Sequence, residues 1–423
     1  MTLTPPPEKL VLEEVKSGAD PDRFSREKDT TPEHSFRLVD PTTGRVCGFV
    51  VVDDTRRGPG LGGIRVAPDL TLEEVRRLAR AMTLKNSAAC LPYGGGKAGL
   101  IQDPAWLAGY PEIKREWIQR LAEALFDLES YVPAPDMGTD ERDIQQIYDY
   151  FSERLGTREH KRGGAARPPE QGGIPIDAWA LTAHSLYAAI QTVAARAPEF
   201  TVKGSRVVIQ GFGAVGAGIA EKLHQAGARI VGVSDITAAL YHSQGLDWEA
   251  LQRARPAGKL MEYGGPAERR FPPEKIDWLL EAPCDLLIPA ARPDAITARN
   301  ADRIQCRRIF QGANTPVNKM TEYYLWNRRG IPSYSDFIVN VGGVMGCAVE
   351  LEMTADPDYR QQVLGPGGEG RVYIEELIYN TVRNNMMDLL DRMDRSSMKD
   401  VIFREEALAL ALARLESPSQ VWL

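Results

Sequence analysis

The chain has few of the residues that build disulfide frameworks and metal sites. Its 423 residues include five cysteines and five histidines. The cysteines are odd in number and show no Cys-x-x-Cys spacing, and the histidines are scattered, which argues against disulfides and against a zinc site. We therefore expect reduced thiols, a cytoplasmic location and no bound metal.

Basic residues are outnumbered by acidic ones, and long apolar runs are absent from the sequence. The 51 Lys and Arg residues against 58 Asp and Glu give a net charge of −7, which argues against nucleic acid as the main partner. No run of 18 apolar residues occurs, and the opening MTLTPPPEKL lacks a basic region followed by an apolar one. We expect neither membrane insertion nor secretion.

Glycine is abundant, and its most informative cluster is PYGGGKAGL, residues 92–100. Glycines have no Cβ, so the run before Lys97 can take positive φ angles and let the main chain approach a small ligand closely. A nucleotide-binding P-loop is excluded, because Leu91 occupies the position of its first glycine and Ala98 follows the lysine. Lys97 is therefore a candidate catalytic residue, with a glycine turn carrying a solvated lysine as the alternative.

A second lysine lies on the helix predicted just before this cluster. Thr71 and Glu74 form a capping box, and the apolar positions after them follow helical spacing, namely Val75, Leu78, Met82 and Ala89. Lys85 falls on that same stripe, where a buried ammonium must find a carboxylate or lose its proton. Two lysines 12 positions apart could flank one cleft and lower the pKa of at least one of them. The alternative is that Lys85 extends into solvent from the helix end.

A third element, YVPAPDMGTDERD, places Asp136 between prolines and a glycine. Pro133 and Pro135 fix φ, so this loop is stiff enough to aim a carboxylate. Read alone, Asp136 is more often a helix cap or a turn former than a catalytic acid.

The second half of the chain carries a dinucleotide-binding pattern. A predicted buried strand, RVVIQ at 206–210, is followed by Gly211, Gly213 and Gly216, by a helical run and by a second strand that ends at Asp235. Glycines at this spacing, with an acidic residue 19 positions after the last of them, let a pyrophosphate approach the helix N-terminus and place a carboxylate near the ribose. The carboxylate favours NAD, with NADP as the alternative.

The combination of these segments with GPGLGGIRVAP (58–68), AMTLKNSA (81–88) and PAPDMGT resembles the glutamate, leucine, phenylalanine and valine dehydrogenase family over roughly residues 45 to 350. The resemblance implies oxidative deamination of an L-amino acid to a 2-oxo acid and ammonia with NAD(P). It assigns Lys85 to the substrate carboxylate, Lys97 to polarising the attacked carbon through a water, and Asp136 to proton transfer.

The resemblance also implies the rest of the site. Its substrate contacts would be Gly62, Gly63, Met82, Leu61, Asn340, Val344 and Cys347. Its cofactor contacts would be Gly211, Gly213, Ala214, Val215, Gly216, Asp235, Ile236, Ala290, Ala291, Asn314 and Trp179.

Two departures from the family pattern concern the substrate. Glutamate-specific members carry a lysine at Leu61 and a serine at Cys347, both of which grip the side-chain carboxylate. An apolar or branched side chain is therefore expected on the substrate, because desolvating a carboxylate against Leu61 without a cation is costly. Against this, the chain length and the spacing from Lys97 to Asp136 resemble the glutamate branch.

Two further departures concern activity. The alignment places Trp179 where the family has a threonine that contacts the nicotinamide amide, and Gln311 replaces the usual glutamate before the Gly-Ala-Asn segment. An indole is larger and offers one donor only. A catalytically weak or inactive amino-acid-sensing subunit of a hetero-oligomeric glutamate dehydrogenase is thus the alternative function.

We expect a two-domain α/β architecture, since the length exceeds what a single core supports. Residues 1–178 would form a discontinuous substrate-binding and oligomerisation domain, 179–338 a Rossmann-type dinucleotide-binding domain, and 339–423 a helical return that packs on the first domain. The Gly/Pro-rich segment 157–173 is expected to be a solvated or mobile connector. The resemblance implies a homo-oligomer, a hexamer above all, or a hetero-oligomer with an active paralogue.

Overall fold

The computed structural model describes residues 5–15, 31–155, 164–255, 259–365, 370–396 and 401–418. The chain divides into two compact units. Unit 1 comprises Met1–Ile176, Val344–Ile374 and Ala411–Leu423, and unit 2 comprises Asp177–Gly343 and Glu375–Leu410. Each unit contains its own sheet and its own core, which confirms the expected two-domain α/β fold.

Unit 1 is built on a six-stranded mixed sheet with the order β1-β2-β3-β5-β4-β6. Its strands are β1 (Val11–Glu14), β2 (His34–Val39), β3 (Val46–Asp54), β4 (Gly60–Val66), β5 (Gly94–Leu100) and β6 (Tyr131–Pro135). Strands β4, β5 and β6 are mutually parallel, whereas β1, β2 and β3 pair in antiparallel fashion and β3 is antiparallel to β5.

The two faces of this sheet follow from the alternation of side chains along each strand. The helices beside the sheet are α1 (Leu72–Ala88), α2 (Pro104–Gly109), α3 (Pro111–Leu125) and α4 (Glu141–Leu155). On one face, Ile64 and Ala98 belong to a core that includes Trp117 of α3. On the other face, Val51 belongs to a smaller core that includes Ala79 of α1. Because Lys97 pairs directly with Val51, it lies on the α1 face.

Unit 2 contains a seven-stranded sheet with the order β10-β9-β8-β7-β11-β12-β13. Its strands are β7 (Arg206–Gln210), β8 (Arg229–Ser234), β9 (Ala239–Tyr241), β10 (Arg269–Phe271), β11 (Leu286–Pro289), β12 (Arg308–Phe310) and β13 (Ser333–Tyr334). Its helices up to Val339 are α5 (Leu181–Arg196), α6 (Ala214–Gln225), α7 (Trp248–Ala254), α8 (Lys319–Arg329) and α9 (Asp336–Val339). The five strands from β8 to β13 in this order are parallel, as in a Rossmann-type fold, and β9 and β10 add an antiparallel edge.

The C-terminal part of the chain is divided between the units, which differs from the expected return of 339–423 to the first domain alone. Its helices are α10 (Gly342–Ala355), α11 (Pro357–Leu364), α12 (Arg371–Arg395) and α13 (Phe403–Glu416). Residues 375–410 group with unit 2. Helix α12 carries buried apolar residues at helical spacing, Ile378, Val382, Met386 and Leu389. Its Asp391 and Asp394 also bind Arg196 of α5 at 2.6 and 2.7 Å.

The expectation of a solvated connector at 157–173 is met only in part, since residues 169–171 are exposed, and residues 156–163 lie outside the described residues. Residues 164–168 are buried. The Ala165 N–H donates to the Pro133 carbonyl of β6 at 3.0 Å, and Arg167 binds Glu350 of α10 at 3.0 Å. Burial of Glu350 against a matched guanidinium fixes this segment on unit 1.

Among the helices that the structure describes, none is both long and apolar enough to cross a membrane. All five cysteines are buried and free.

Candidate active site

The glycine run before Lys97 lies in strand β5 and does not adopt the positive φ angles that glycine allows. Gly94, Gly95 and Gly96 are extended and none has a positive φ. They are needed for close packing instead, since a Cβ added to Gly95 would overlap Thr83 of α1. The glycines therefore let α1 lie directly on the sheet, which brings the lysine-bearing strand against the lysine-bearing helix.

Lys97 is the first member of a buried ion pair. Its side chain is almost fully buried, and its Nζ lies 2.7 Å from Asp136 Oδ2. Burial lowers the pKa of Lys97, the Asp136 charge opposes that effect, and the neighbouring Arg65 cation lowers the pKa further. This excludes the alternative of a solvated lysine on a glycine turn.

Asp136 follows the last residue of β6, and the backbone around it is fixed. Its N–H donates to Thr139 Oγ1 at 2.9 Å, and that hydroxyl donates to the Ile64 carbonyl at 2.7 Å. Burial alone would raise the pKa of Asp136, but Lys97 and Arg65 outweigh it and hold that pKa well below its usual range. Asp136 is therefore ionised in the folded protein, and it is more than the turn former that its local sequence alone would favour.

Arg65 is a site residue that the sequence analysis did not single out. It lies on β4, two residues after Gly63, so the two share the α1 face of the sheet. Its Nε donates to Asp136 Oδ2 at 3.0 Å and its Nη1 donates to Glu74 Oε1 at 2.7 Å. The available signal was the strand alternation of GLGGIRV, which places residues 61, 63 and 65 on one face together.

The capping box at the start of α1 forms only in part. The Glu74 N–H donates to Thr71 Oγ1 at 3.2 Å, as expected for the N-cap. The Glu74 carboxylate, expected to return to the cap residue, accepts from Arg65 instead. Arg65 thereby connects the start of α1, at Glu74, to Asp136.

Lys85 lies in the last turn of α1 and only 5% of it is exposed. That burial excludes the alternative of a side chain extended into solvent. Met82, one turn earlier, and Val344 and Cys347 on α10 are buried with small exposed fractions of 6 to 8%. A shared cleft for Lys85 and Lys97 stays a prediction, as do the substrate contacts of these residues.

Leu61 has no exposed surface at all. It lies on β4 with its carbonyl 3.5 Å from Asn86 Nδ2 of α1. A side chain that is already fully covered has little area left to offer a ligand. Cys347 is also buried, with 6% of its surface exposed, and its contact with a substrate side chain stays a prediction.

The predicted dinucleotide segment forms the turn between β7 and α6. Gly211 has φ +91°, and an added Cβ would lie 2.9 Å from atoms of Ala290 and Ala291, which follow β11. A Cβ on Gly216 would overlap the Gly211 carbonyl, whereas one on Gly213 would meet nothing within 4 Å. Protein atoms therefore pack closely against Gly211 and Gly216, whereas the space beside Gly213 is open. Gly213 directly precedes Ala214 and Val215 in the first turn of α6. This cradle fits the pyrophosphate of a dinucleotide.

Asp235, the predicted ribose ligand, is already engaged by the protein. Its Oδ1 accepts from the Thr237 and Ala238 N–H groups and from the Thr237 hydroxyl at 2.6 to 2.9 Å. Its Oδ2 accepts from the Leu260 N–H at 2.6 Å. The carboxylate therefore holds the turn 260–262 against the end of β8, beside Ile236, which is 84% exposed.

The expected nicotinamide-side residues form a buried polar network in unit 2. Asn340 Nδ2 donates to the Gly312 and Ala313 carbonyls at 3.2 and 3.1 Å, just before Asn314. Gln311 is fully buried and donates to Glu322 and to Ser333 Oγ. Its amide faces the interior of unit 2. The replacement of glutamate by Gln311 therefore alters a buried structural hydrogen-bond network.

The predicted intrusion of Trp179 into the nicotinamide subsite stays a prediction. The residue lies half-buried in the turn 176–180 that precedes α5. Ala180, which follows it, has φ 52° and begins the helix without a side-chain cap. Trp179 thus directly precedes a residue with a strained backbone, and Leu181, the first residue of α5, is fully buried.

Two family models match the chain. The Glu/Leu/Phe/Val dehydrogenase dimerisation domain matches residues 32–153, and the Glutamate/Leucine/Phenylalanine/Valine dehydrogenase model matches residues 172–362. The NADP-specific glutamate dehydrogenase of Saccharolobus shibatae is 34% identical over 300 residues, which cover 69% of this chain and 68% of that protein. The catabolic NAD-specific glutamate dehydrogenase RocG of Bacillus subtilis is 33% identical over 291 residues, 68% of this chain and 66% of that protein. Both nicotinamide dinucleotides are thus named among the relatives, which confirms the predicted NAD(P) cofactor.

Among solved structures, a hetero-hexameric glutamate dehydrogenase from Thermus thermophilus in a Leu-bound form superposes with a TM-score of 0.76 at 26% identity. The match covers 92% of this chain and 89% of that chain. A glutamate dehydrogenase from Peptoniphilus asaccharolyticus superposes with a TM-score of 0.68 at 22% identity, covering 95% of this chain and 94% of that chain, which supports the fold.

Proposed function

Because this chain belongs to the Glu/Leu/Phe/Val dehydrogenase family, whose members are NAD(P)-dependent oxidoreductases acting on CH–NH2 groups, we propose that it deaminates an L-amino acid with an apolar or branched side chain. The products are a 2-oxo acid and ammonia. The observation that carries this proposal is the buried contact of Lys97 with Asp136 at 2.7 Å.

The pair supplies the proton transfers of a deamination. A bound nicotinamide would supply the acceptor for the hydride of the substrate Cα. Asp136 takes a proton from the amine, and Lys97 assists the addition of water to the resulting iminium carbon. While Lys97 is charged, Asp136 is a weak base; loss of the Lys97 proton removes one of the two cations that hold the Asp136 pKa down. Proton positions on the two groups are therefore coupled.

Lys85 is assigned to the substrate carboxylate. It is buried on the same helix, α1, that bears Thr83 against Gly95, so its backbone is rigidly set relative to β5. An ammonium and an α-carboxylate form charge-assisted hydrogen bonds, which is the contact that we propose for Lys85.

The preference for an apolar side chain is supported by Cys347 and Met82, which are uncharged and nearly buried. A glutamate side chain would have to lose its hydration there without gaining a cation from either residue. Such loss of solvation disfavours glutamate relative to leucine or valine.

For the cofactor we propose NAD in preference to NADP, on the acidic character of Asp235 at the end of β8. For the assembly we propose a hexamer, in keeping with the dimerisation-domain match over 32–153 and the hexameric neighbour. The five free, buried thiols support a reducing compartment such as the cytoplasm.

A second candidate function is an amino-acid-sensing subunit that pairs with an active paralogue. The specific observation in its favour is the likeness to a hetero-hexameric glutamate dehydrogenase whose structure is a Leu-bound form. In this version the chain would bind an apolar amino acid through Lys85 without turnover, and Trp179 would occlude the nicotinamide.

One experiment distinguishes the two functions. The purified chain alone is assayed for NADH formation with leucine, valine, phenylalanine and glutamate, alongside calorimetric binding of each amino acid. Turnover with an apolar amino acid supports the dehydrogenase. Binding without turnover supports the sensing subunit, in which case Trp179→Thr tests the indole as the block. Neither binding nor turnover with any of the four contradicts both.

A further inference from the structure

We infer that Arg65, braced by Glu74, is a positioning residue that fixes the Asp136 carboxylate through one oxygen and leaves the other for the reacting substrate. This inference rests on the proposed dehydrogenase function, because it gives Asp136 its proton-transfer role. It adds to that function a chain of four alternating charges, which runs from Glu74 through Arg65 and Asp136 to Lys97.

The geometry of the carboxylate carries the inference. Arg65 Nε and Lys97 Nζ both bind Oδ2 of Asp136, at 3.0 and 2.7 Å. From the residues that the structure describes, Oδ1 receives no hydrogen bond, although the side chain is 16% exposed. One oxygen is therefore an anchor and the other is available. With Lys97 alone as its partner, the carboxylate could rotate about a single contact; a second contact from β4 fixes its plane.

Arg65 is itself held on both sides. Its side chain is 6% exposed, and its second contact is the 2.7 Å bond from Nη1 to Glu74 Oε1. Glu74 lies in the first turn of α1, where its N–H is already used by the Thr71 cap. The planar guanidinium thus joins a helix start to a strand end, and a lysine at this position could not reproduce the two directed contacts.

The arrangement also affects the Lys97 proton. Arg65 lowers the pKa of Lys97, whereas the Glu74 carboxylate raises it. The charged groups that act on Lys97 are Arg65 from β4, Asp136 from the residue after β6, and Glu74 from α1. On β3, Asp53 is paired with Arg80. Removing Arg65 and removing Glu74 should therefore move the Lys97 pKa in opposite directions.

The test compares Arg65→Gln, Arg65→Lys and Glu74→Gln in the full chain. The pKa of Lys97 is measured by the pH dependence of its labelling with acetic anhydride, read by peptide mass spectrometry. In parallel, kcat and KM are measured against pH with leucine and NAD. Arg56→Gln is the matched control, since Arg56 forms a similar pair with Asp54 in the same unit at 2.6 Å.

For Arg65→Gln we expect an upward shift of the Lys97 pKa and a fall in kcat of about 10- to 100-fold, as for a misplaced catalytic group. Glu74→Gln should shift the Lys97 pKa downward, and Arg65→Lys should restore only part of kcat. Arg56→Gln should change neither quantity. If Arg65→Gln does not fold, Glu74→Gln alone decides, because Glu74 is 31% exposed and its loss is tolerable.

Two outcomes overturn the inference. One is a Lys97 pKa that stays unchanged in both Arg65→Gln and Glu74→Gln; the other is unchanged kcat in Arg65→Gln while the wild type turns over. Absence of turnover in the wild type contradicts the dehydrogenase function instead, and opposite labelling shifts would then still establish the charge chain on its own.

Discussion

Gly63 lies so close to Asp136 that a Cβ added to it would be 2.7 Å from the Asp136 Cβ and 2.6 Å from the Pro135 carbonyl oxygen. Real Cβ contacts are essentially never shorter than 3.0 Å. Strand β4 must therefore carry glycine at this point if β6 is to end with its carboxylate next to Lys97.

Gly63→Ala should displace Asp136 and lower kcat by about 100-fold, because a shift near 1 Å is enough to disrupt a catalytic contact. Steady-state kinetics with an apolar amino acid measures the effect, and circular dichroism checks the fold. Gly109→Ala is the control, since an added Cβ there meets nothing within 4 Å. Equal kcat in the two variants would contradict the proposed role of the Gly63 contact.

Lys97→Ala should lower kcat by about 10²- to 10⁴-fold, the usual contribution of a positioned acid–base group, while leaving the Kd for NADH unchanged. Stopped-flow and fluorescence titration measure the two quantities. Lys114→Ala is the control. It removes another largely buried lysine, which pairs with Asp143 at 2.6 Å, and it should retain turnover. Full activity of Lys97→Ala would remove Lys97 from the mechanism.

The rate of oxidative deamination should rise with pH through the Lys97 pKa. That pKa is lowered from 10.5 by burial, so the neutral amine that assists water addition becomes populated at a lower pH than for a solvated lysine. Titration of Asp136 should not change the rate above pH 4, because its pKa is held below its ordinary value of 3.8. A kcat profile against pH that is flat from 6 to 10, with chemistry shown to be rate-limiting by a deuterium effect at Cα, would contradict this.

Leu61→Lys should destabilise the protein, because it introduces an ammonium where no surface is exposed. If the substrate side chain reaches this position, saturating glutamate should restore part of the lost Tm and leucine should not, as expected for a ligand that pairs the buried charge. Differential scanning calorimetry with each amino acid measures this, with Leu61→Met as the control. Equal effects of both ligands would separate Leu61 from the side-chain subsite.

Asp235→Asn should weaken binding of NAD and of NADP alike. The amide oxygen can keep the three hydrogen bonds that Asp235 Oδ1 now accepts, but the NH2 group in place of Oδ2 would face the Leu260 N–H. The turn 260–262 should then detach from the end of β8, which hydrogen exchange can detect. Asp247→Asn is the control, since Asp247 caps α7 through a single contact to the Ala250 N–H. Selective loss of NAD alone would assign the carboxylate to the ribose directly.

Much of the fold could be predicted because its signals are local. The strand at 206–210, the helix after it and the strand ending before Asp235 appear as expected, since alternation, glycine spacing and helix periodicity are properties of neighbouring residues. Assignment of the C-terminal helices failed for the opposite reason. Which unit residues 375–410 join depends on contacts such as that of Arg196 with Asp391, which are 195 residues apart.

The sequence identifies most residues of the candidate site, but it predicts less well how the backbone and the neighbouring side chains hold them. Lys97 and Asp136 were singled out by unusual local settings, and the structure places them in contact. A glycine run can serve positive φ in a turn or close packing in a strand, and composition alone does not separate these two uses; here it serves close packing. Arg65 escaped notice because an arginine on a strand is ordinary until its partners are known.

The short run of buried residues after position 163 has a consequence for how subunits can associate. Edge strands offer free backbone groups to other chains. On β6 two N–H donors are missing at Pro133 and Pro135, and the Pro133 carbonyl is occupied by Ala165. Among the described strands of this sheet, β1 is the other edge strand, so Val11–Glu14 is better suited than β6 to continue the sheet into a second subunit.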